Sequence, residues 1–321
     1  VYSLATRLIP TGLPFLLNGM SPKRLLNRRG IPSLDKTISI RGDVEGLFRS
    51  MELGTVLLTP THVSNMDSLV IGWVLHHLGL PPFTYGAGLN LFSNPLTSFF
   101  LRNLGAYRVD RLKSAPLYKD VLKEYSTVSL ENGQPNLFFP AGTRVRSGAV
   151  ERHLKLGLLS SGLKAFINNR IQQKPKPRVF IVPCVLNYHV VLEAETLIED
   201  HLKREGKGRY IISDDAFSRP RLVLQFMQKL FQLDSHIAVT FGSPMDPFGN
   251  QVDHGGESRD SRGRAVDIDK YILAGGVPAH VPQRDRTYTQ EAGGALGAGA
   301  KVGHGAGLAA GGDGVGGKNG R

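Results

Sequence analysis

Short apolar runs alternate with stretches of helical period along most of the chain. Runs rich in β-branched and aromatic residues predict strands at 55–59, 83–87, 105–109, 136–140, 179–186 and 237–241. Apolar residues recurring every three or four positions predict helices at 65–79, about 95–103, 115–131, 154–170, 190–204 and 217–232. Alternation of this kind predicts an α/β fold, a largely parallel sheet flanked by helices. The punctuation agrees. Asn132-Gly133 is a good helix terminator, and Lys174-Pro-Lys-Pro-Arg178 is a solvated link before the buried run that starts at Val179.

The two ends break the pattern. An arm over 1–40 mixes Leu13, Phe15, Leu16 and Leu17 with Pro10, Pro14 and Pro22, then with Lys23, Arg24, Arg28 and Arg29. Such an arm either lies on a membrane surface or packs over the core. The predicted helix at 217–232 poses the same choice, with Arg219 and Arg221 ahead of Leu222, Val223, Phe226, Met227, Leu230 and Phe231. The main domain is expected over 41–250. Beyond it the chain turns polar, and residues 292–321 contain 13 glycines. Glycine loses the most backbone freedom on ordering, so 251–321 is expected to be a polar, then Gly-rich, disordered tail.

Composition narrows the function. The net charge of +12 attracts polyanions: nucleic acid, anionic lipid or a phosphorylated substrate. The nucleic-acid reading rests on charge alone, since no zinc-finger pattern, RNP-type aromatic motif or basic region with heptads is present. No 18-residue apolar run predicts a transmembrane helix. A single cysteine, Cys184, excludes an intrachain disulfide and a cysteine-based metal site, and its apolar surroundings read as core.

Candidate chemistry gathers in four blocks. The first is Thr55 to Gly72, where an apolar run gives way through Pro60, Thr61 and His62 to a helical pattern. The end of a strand is a common place for chemistry in α/β proteins. Asp67 follows His62 by five residues. On one continuous helix those side chains would diverge by about 140°, so they meet only if His62 precedes the helix and Asp67 leans back from its first turn. A carboxylate on one imidazole nitrogen fixes the tautomer and makes the other a better base. The spacing recurs at His280 and Asp285, where no strand precedes it and no apolar helix follows, and there it reads as chance. His76 and His77, farther along the first helix, read as surface or packing residues rather than metal ligands.

The second block, Gly105-Ala-Tyr-Arg-Val-Asp-Arg111, ends a strand in charge; Arg108 and Arg111 reach one ligand or simply line a solvated edge. The third, Phe138 to Gly148, runs from a strand into Pro140-Ala-Gly and then Arg144 and Arg146. Gly142 permits a tight turn, amides near Gly142 and Thr143 can form an anion nest, and arginine forks suit a phosphate. A basic surface loop is the alternative. The fourth, Val179 to Tyr188, carries Pro183 inside a buried run, which predicts a bulge or strand end near a site.

Taken in order, His-x4-Asp, Gly-x4-Asp-Arg, Phe-Pro-x-Gly-Thr-Arg and Val-Pro resemble the glycerolphosphate acyltransferase superfamily, which includes the lysophosphatidic acid acyltransferases. The resemblance covers roughly 50–245. It implies the His-x4-Asp acyltransferase fold, an acyl-CoA or acyl-carrier-protein donor and a glycerol-phosphate acceptor; that chemistry needs no cofactor or metal, and the arm, the helix at 217–232 and the positive charge lead us to expect a peripheral protein at the cytoplasmic face of a membrane. The resemblance implies His62 as general base and Asp67 as its partner, with Arg111 and Arg144 on the acceptor phosphate; Arg146 and Lys155 are further candidates there. Gly142, Thr143 and Pro183 would shape the site. Lys155 and Gly157 resemble the Lys-x-Gly that follows the third block in relatives. Ala141 departs from the glutamate common there, and Val145 from a frequent serine. Arg146-Ser-Gly148, and Tyr188 followed by Leu192, Glu193 and Glu195, look like the glycerol-3-phosphate branch. Asp110-Arg111 and Gly142-Thr-Arg144 look like the lysophosphatidic branch.

Overall fold

The structure is a computed structural model and describes residues 38–64, 67–93, 95–103, 105–110, 112–142, 154–188 and 237–312. Strands are β1 (Ile38–Gly42), β2 (Thr55–Pro60), β3 (Thr84–Gly88), β4 (Ala106–Val109), β5 (Asn136–Leu137), β6 (Val179–Tyr188) and β7 (Ile237–Phe241), followed by the two-residue strands β8 to β11 between Gln251 and Pro278. Helices are α1 (Val44–Leu53), α2 (Asp67–His77), α3 (Pro95–Asn103), α4 (Pro116–Glu131), α5 (Leu159–Ile171) and α6 (Pro282–Gly312). The predicted α/β alternation is therefore present. Helices predicted at 190–204 and 217–232, and the arm over 1–37, lie outside the described residues.

The chain divides into two compact units of discontinuous sequence. One is built mainly on Val63–Lys113, the other on Ile40–His62, Ser114–Asn187 and the chain from Ala238. In the first, β3 and β4 pair in parallel, Tyr85 against Ala106 through Gly88 against Val109. Val70, Ile71, Val74, Phe83 and Tyr85 are buried there.

In the second unit the strand order is β1-β7-β6-β2-β5. Strand β2 is buried along its whole length and pairs in parallel with both neighbours, Leu57 against Asn136 on one side and against Ile181 on the other. Burial on both faces explains why Val56-Leu-Leu58 is a continuous apolar run rather than an alternating one. The core packs Leu57, Phe138, Phe166 and Ile181 with Leu163 of α5.

The structure corrects three boundaries. Residues 38–40, expected in the arm, open strand β1, and α1 follows with Asp43 as its N-cap, accepting from the Gly46 amide at 2.7 Å. Strand β5 stops at Leu137 because the chain must turn at Pro140, although the Phe138 amide still donates to the Leu58 carbonyl at 3.2 Å. The chain past 250 is not a loose tail over 251–297. Ala292 and Leu296 of α6 are buried in the core beside Phe248 and Ile272. The small residues that looked costly allow that packing: a β-carbon on Gly293 would lie 2.5 Å from Leu156 Cδ2. Close packing offsets part of the entropy that composition alone counts against a glycine-rich helix.

Candidate active site

His62 leaves the C-terminal end of β2, in the short stretch that separates it from α2. The stretch is anchored at Thr61, whose amide donates to Cys184 O at 2.9 Å and whose Oγ1 accepts from the Leu186 amide at 3.0 Å. One residue on, the half-buried imidazole of His62 stacks on Phe139 of the third block, with centroids 4.3 Å apart and planes at 27°. The apolar ring thus fixes one face of the histidine.

The same third block turns sharply after Phe139. The Gly142 amide donates to Phe139 O at 2.9 Å, and Gly142 adopts φ of +69°, a conformation glycine takes without penalty. Lys155 docks onto this turn. Its amide donates to Pro140 O at 2.7 Å, and its side chain lies across Gly142, so that a β-carbon there would sit 2.8 Å from Nζ. This use of residues 154–158 explains why α5 starts at Leu159 and not at 154 as predicted. Pro183 sits in the middle of β6, paired with Thr59, and the strand runs on to Tyr188. The predicted strand end is thereby corrected: Gly242 packs on the proline ring and donates its amide to Pro183 O at 2.8 Å.

Asp67 opens α2 in the other unit and is fully buried, at 0% exposure. Its Oδ2 accepts from the amides of Val63 at 2.6 Å and Ser64 at 2.9 Å. Its Oδ1 accepts from the Tyr188 hydroxyl at 2.6 Å. The carboxylate thus sits at the start of the helix, where the dipole favours negative charge, and ties down the residues that follow His62. The second His-x4-Asp, read as chance, builds a related device. Asp285 lies in the first turn of α6, and its Oδ2 accepts from the Val281 amide at 3.1 Å and lies 3.4 Å from His280 Nδ1. There the other ring nitrogen meets Asn168 Oδ1 at 2.6 Å, so that histidine ties α6 to α5. An aspartate five residues after a histidine is thus a helix-start geometry in this chain, put to architectural use at 280.

A family model described as acyltransferase matches residues 41–187. The match spans just under half of the chain, which is similar to that family over those residues. The resemblance to the glycerolphosphate acyltransferase superfamily read from the four blocks is borne out. Relatives include a glycerol-3-phosphate acyltransferase of Pseudomonas fluorescens (strain Pf0-1), 30% identical over 63% of this chain and 22% of that protein. One from Ectopseudomonas mendocina is 31% identical over 63% and 23%. The chain therefore spans under a quarter of the length of these curated relatives. The crystal structure of the 1-acyl-sn-glycerophosphate (LPA) acyltransferase PlsC from Thermotoga maritima aligns over 92% of this chain and 93% of that one, with TM-score 0.38 and 14% identity.

Of the acyltransferase residues expected from sequence, Arg111, Thr143, Arg144 and Arg146 lie outside the described residues. Gly142 and Lys155 are brought together, and His62 is brought to Phe139. Ala141 is buried. Sequence reasoning foresaw neither the contact of Phe139 with His62 nor that of Tyr188 with Asp67. Phe139 carried a signal, being the residue before the Pro-x-Gly turn. Among the described residues no three His, Cys, Asp or Glu side chains gather as a metal site.

Proposed function

We propose that the chain moves a fatty acyl group from an acyl-CoA or acyl-carrier-protein thioester to a glycerol-phosphate hydroxyl. The observation that carries this reading is the stacking of His62 on Phe139, which joins the histidine block to the turn held by Gly142 and Lys155. His62 takes the acceptor hydroxyl proton as the oxygen attacks the thioester carbonyl carbon. The tetrahedral intermediate collapses with loss of the thiolate, and the proton passes to sulfur. A positioned histidine contributes about 10²–10⁴-fold to such a step. Asp67 is its partner. Lys155, with Arg111, Arg144 and Arg146, binds the acceptor phosphate, and no metal or cofactor is required.

Glycerol-3-phosphate is the proposed acceptor. Arg146-Ser-Gly148 and Tyr188 favour it, as do the names of the relatives. The 1-acyl derivative, giving phosphatidic acid, is the second reading, favoured by Asp110-Arg111 and Gly142-Thr-Arg144. Turnover of a long-chain acyl-CoA and of acyl-carrier protein with each acceptor separates them. Failure of both acceptors with both donors overturns the proposal.

We also propose peripheral association with an anionic, cytoplasmic membrane surface. The charge of +12 supports it, as does an exposed stripe on α4 of Leu117, Val121, Tyr125 and Val128. Among the described residues no helix is long and apolar enough to cross a membrane. Cosedimentation with phosphatidylglycerol vesicles should weaken as salt rises. Stronger binding to duplex DNA than to vesicles would favour a nucleic-acid partner instead.

A further inference from the structure

We infer that Tyr188 is a positioning residue for the catalytic histidine, acting through Asp67; this rests on the reading of His62 as the base. The Val63 amide belongs to the same peptide plane as the His62 carbonyl. A hydrogen bond from that amide therefore fixes the backbone torsion that aims the imidazole. The acceptor is Asp67 Oδ2, which also takes the Ser64 amide. A carboxylate held at one oxygen still pivots about its Cβ–Cγ bond, and that torsion is broad and soft. Tyr188 removes the freedom by donating to the other oxygen at 2.6 Å, from the last residue of β6 and 121 positions away in sequence. The clamp thus links the last residue of β6 to the start of α2.

Asp285 shows what a purely structural version looks like. Its Oδ2 likewise accepts an amide four residues back, but its Oδ1 accepts from the Arg284 guanidinium, Nε at 3.1 Å and Nη2 at 2.9 Å. A guanidinium brings a positive charge to the carboxylate. A phenol orients the carboxylate and brings none, so Tyr188 does not itself offset the negative charge that stabilises an imidazolium as His62 gains its proton.

The test uses Tyr188→Phe, Asp67→Asn and the double variant in the full chain. Hydrogen exchange at the Val63 and Ser64 amides is read with no substrate present. Turnover is read with a long-chain acyl-CoA and either acceptor. Tyr188→Phe should speed exchange at both amides about tenfold or more and lower kcat by a similar factor, with both KM values within about twofold. The kcat loss should largely vanish in the Asp67→Asn background, because the two act as one unit. Where Tyr188→Phe lowers the melting temperature, 3-fluorotyrosine at 188, which keeps the phenol, should restore both readouts. Unchanged exchange, or a kcat loss undiminished in Asp67→Asn, overturns the inference. Absent turnover in the wild type overturns the acyl-transfer reading instead, and exchange still decides whether Tyr188 holds Asp67.

Discussion

Gly142 and Lys155 show how one backbone angle makes room for a neighbouring side chain. A side chain at 142 meets two penalties: φ of +69° disfavours any β-carbon, and that carbon would push on Lys155 Cε and Nζ, both at 2.8 Å. Gly142→Ala should therefore cost about 1–2 kcal/mol of stability and raise the acceptor KM, while the donor KM holds. Lys155→Met should reproduce the KM change without the stability loss. An unchanged acceptor KM in both would remove Lys155 from the phosphate site. His62→Ala should abolish turnover and leave the melting temperature close to wild type, since the ring is only half-buried. Activity within a few-fold of wild type would disqualify it as the base. His62 was legible because the apolar period switches from strand to helix around it. The Tyr188 bond was not, because nothing local marks a partner 121 residues away.

Periodic elements were read well and short or interrupted ones poorly. Strand β7 and α3 fall where the pattern put them, whereas β1 and α1 passed unread. Their signal was the Asp43 cap ahead of Val44 and Leu47. Pro183 misled because proline in a strand argues for an edge or end; here Gly242 supplies a backbone partner to its carbonyl and space for its ring. The largest misreading was α6, where composition suggested disorder and packing decides otherwise. Truncation after Glu291 removes Ala292 and Leu296 from the core. Burying one leucine is worth about 1.5–3 kcal/mol, so the melting temperature should fall by several degrees. Leu296→Ala, which leaves the chain length intact, should cost about 2–5 kcal/mol. If both variants melt like the wild type, the residues beyond 291 do not pack on the unit.

Stability against pH adds contributions from carboxyls spread along the chain, and three of them pull in opposite directions. Burial pushes the Asp246 carboxyl above its ordinary value, against the opposing bonds from Asn250 and the Phe248 amide. Asp253 is held below the ordinary range, first by the Arg259 side chain. Asp260 is held down first by the Arg264 amide. A carboxyl whose folded value is raised binds its proton more tightly when folded. Its contribution is therefore full below the unfolded value of 3.8 and is lost as pH rises through the folded one. Asp253 and Asp260 do the reverse: their contribution is present above 3.8 and lost as pH falls through the lowered values. In the wild type the rise in stability from acid toward neutral pH should thus be blunted by Asp246. Asp246→Asn lowers stability by a pH-independent amount, since it gives up one acceptor to Asn250, but it should also steepen the rise above about pH 4. Asp253→Asn should flatten it below that point. Urea unfolding at intervals from pH 3 to 7 separates offset from slope. Parallel curves for the wild type and Asp246→Asn would mean that burial at 246 is relieved in solution and that this carboxyl titrates as an exposed one does.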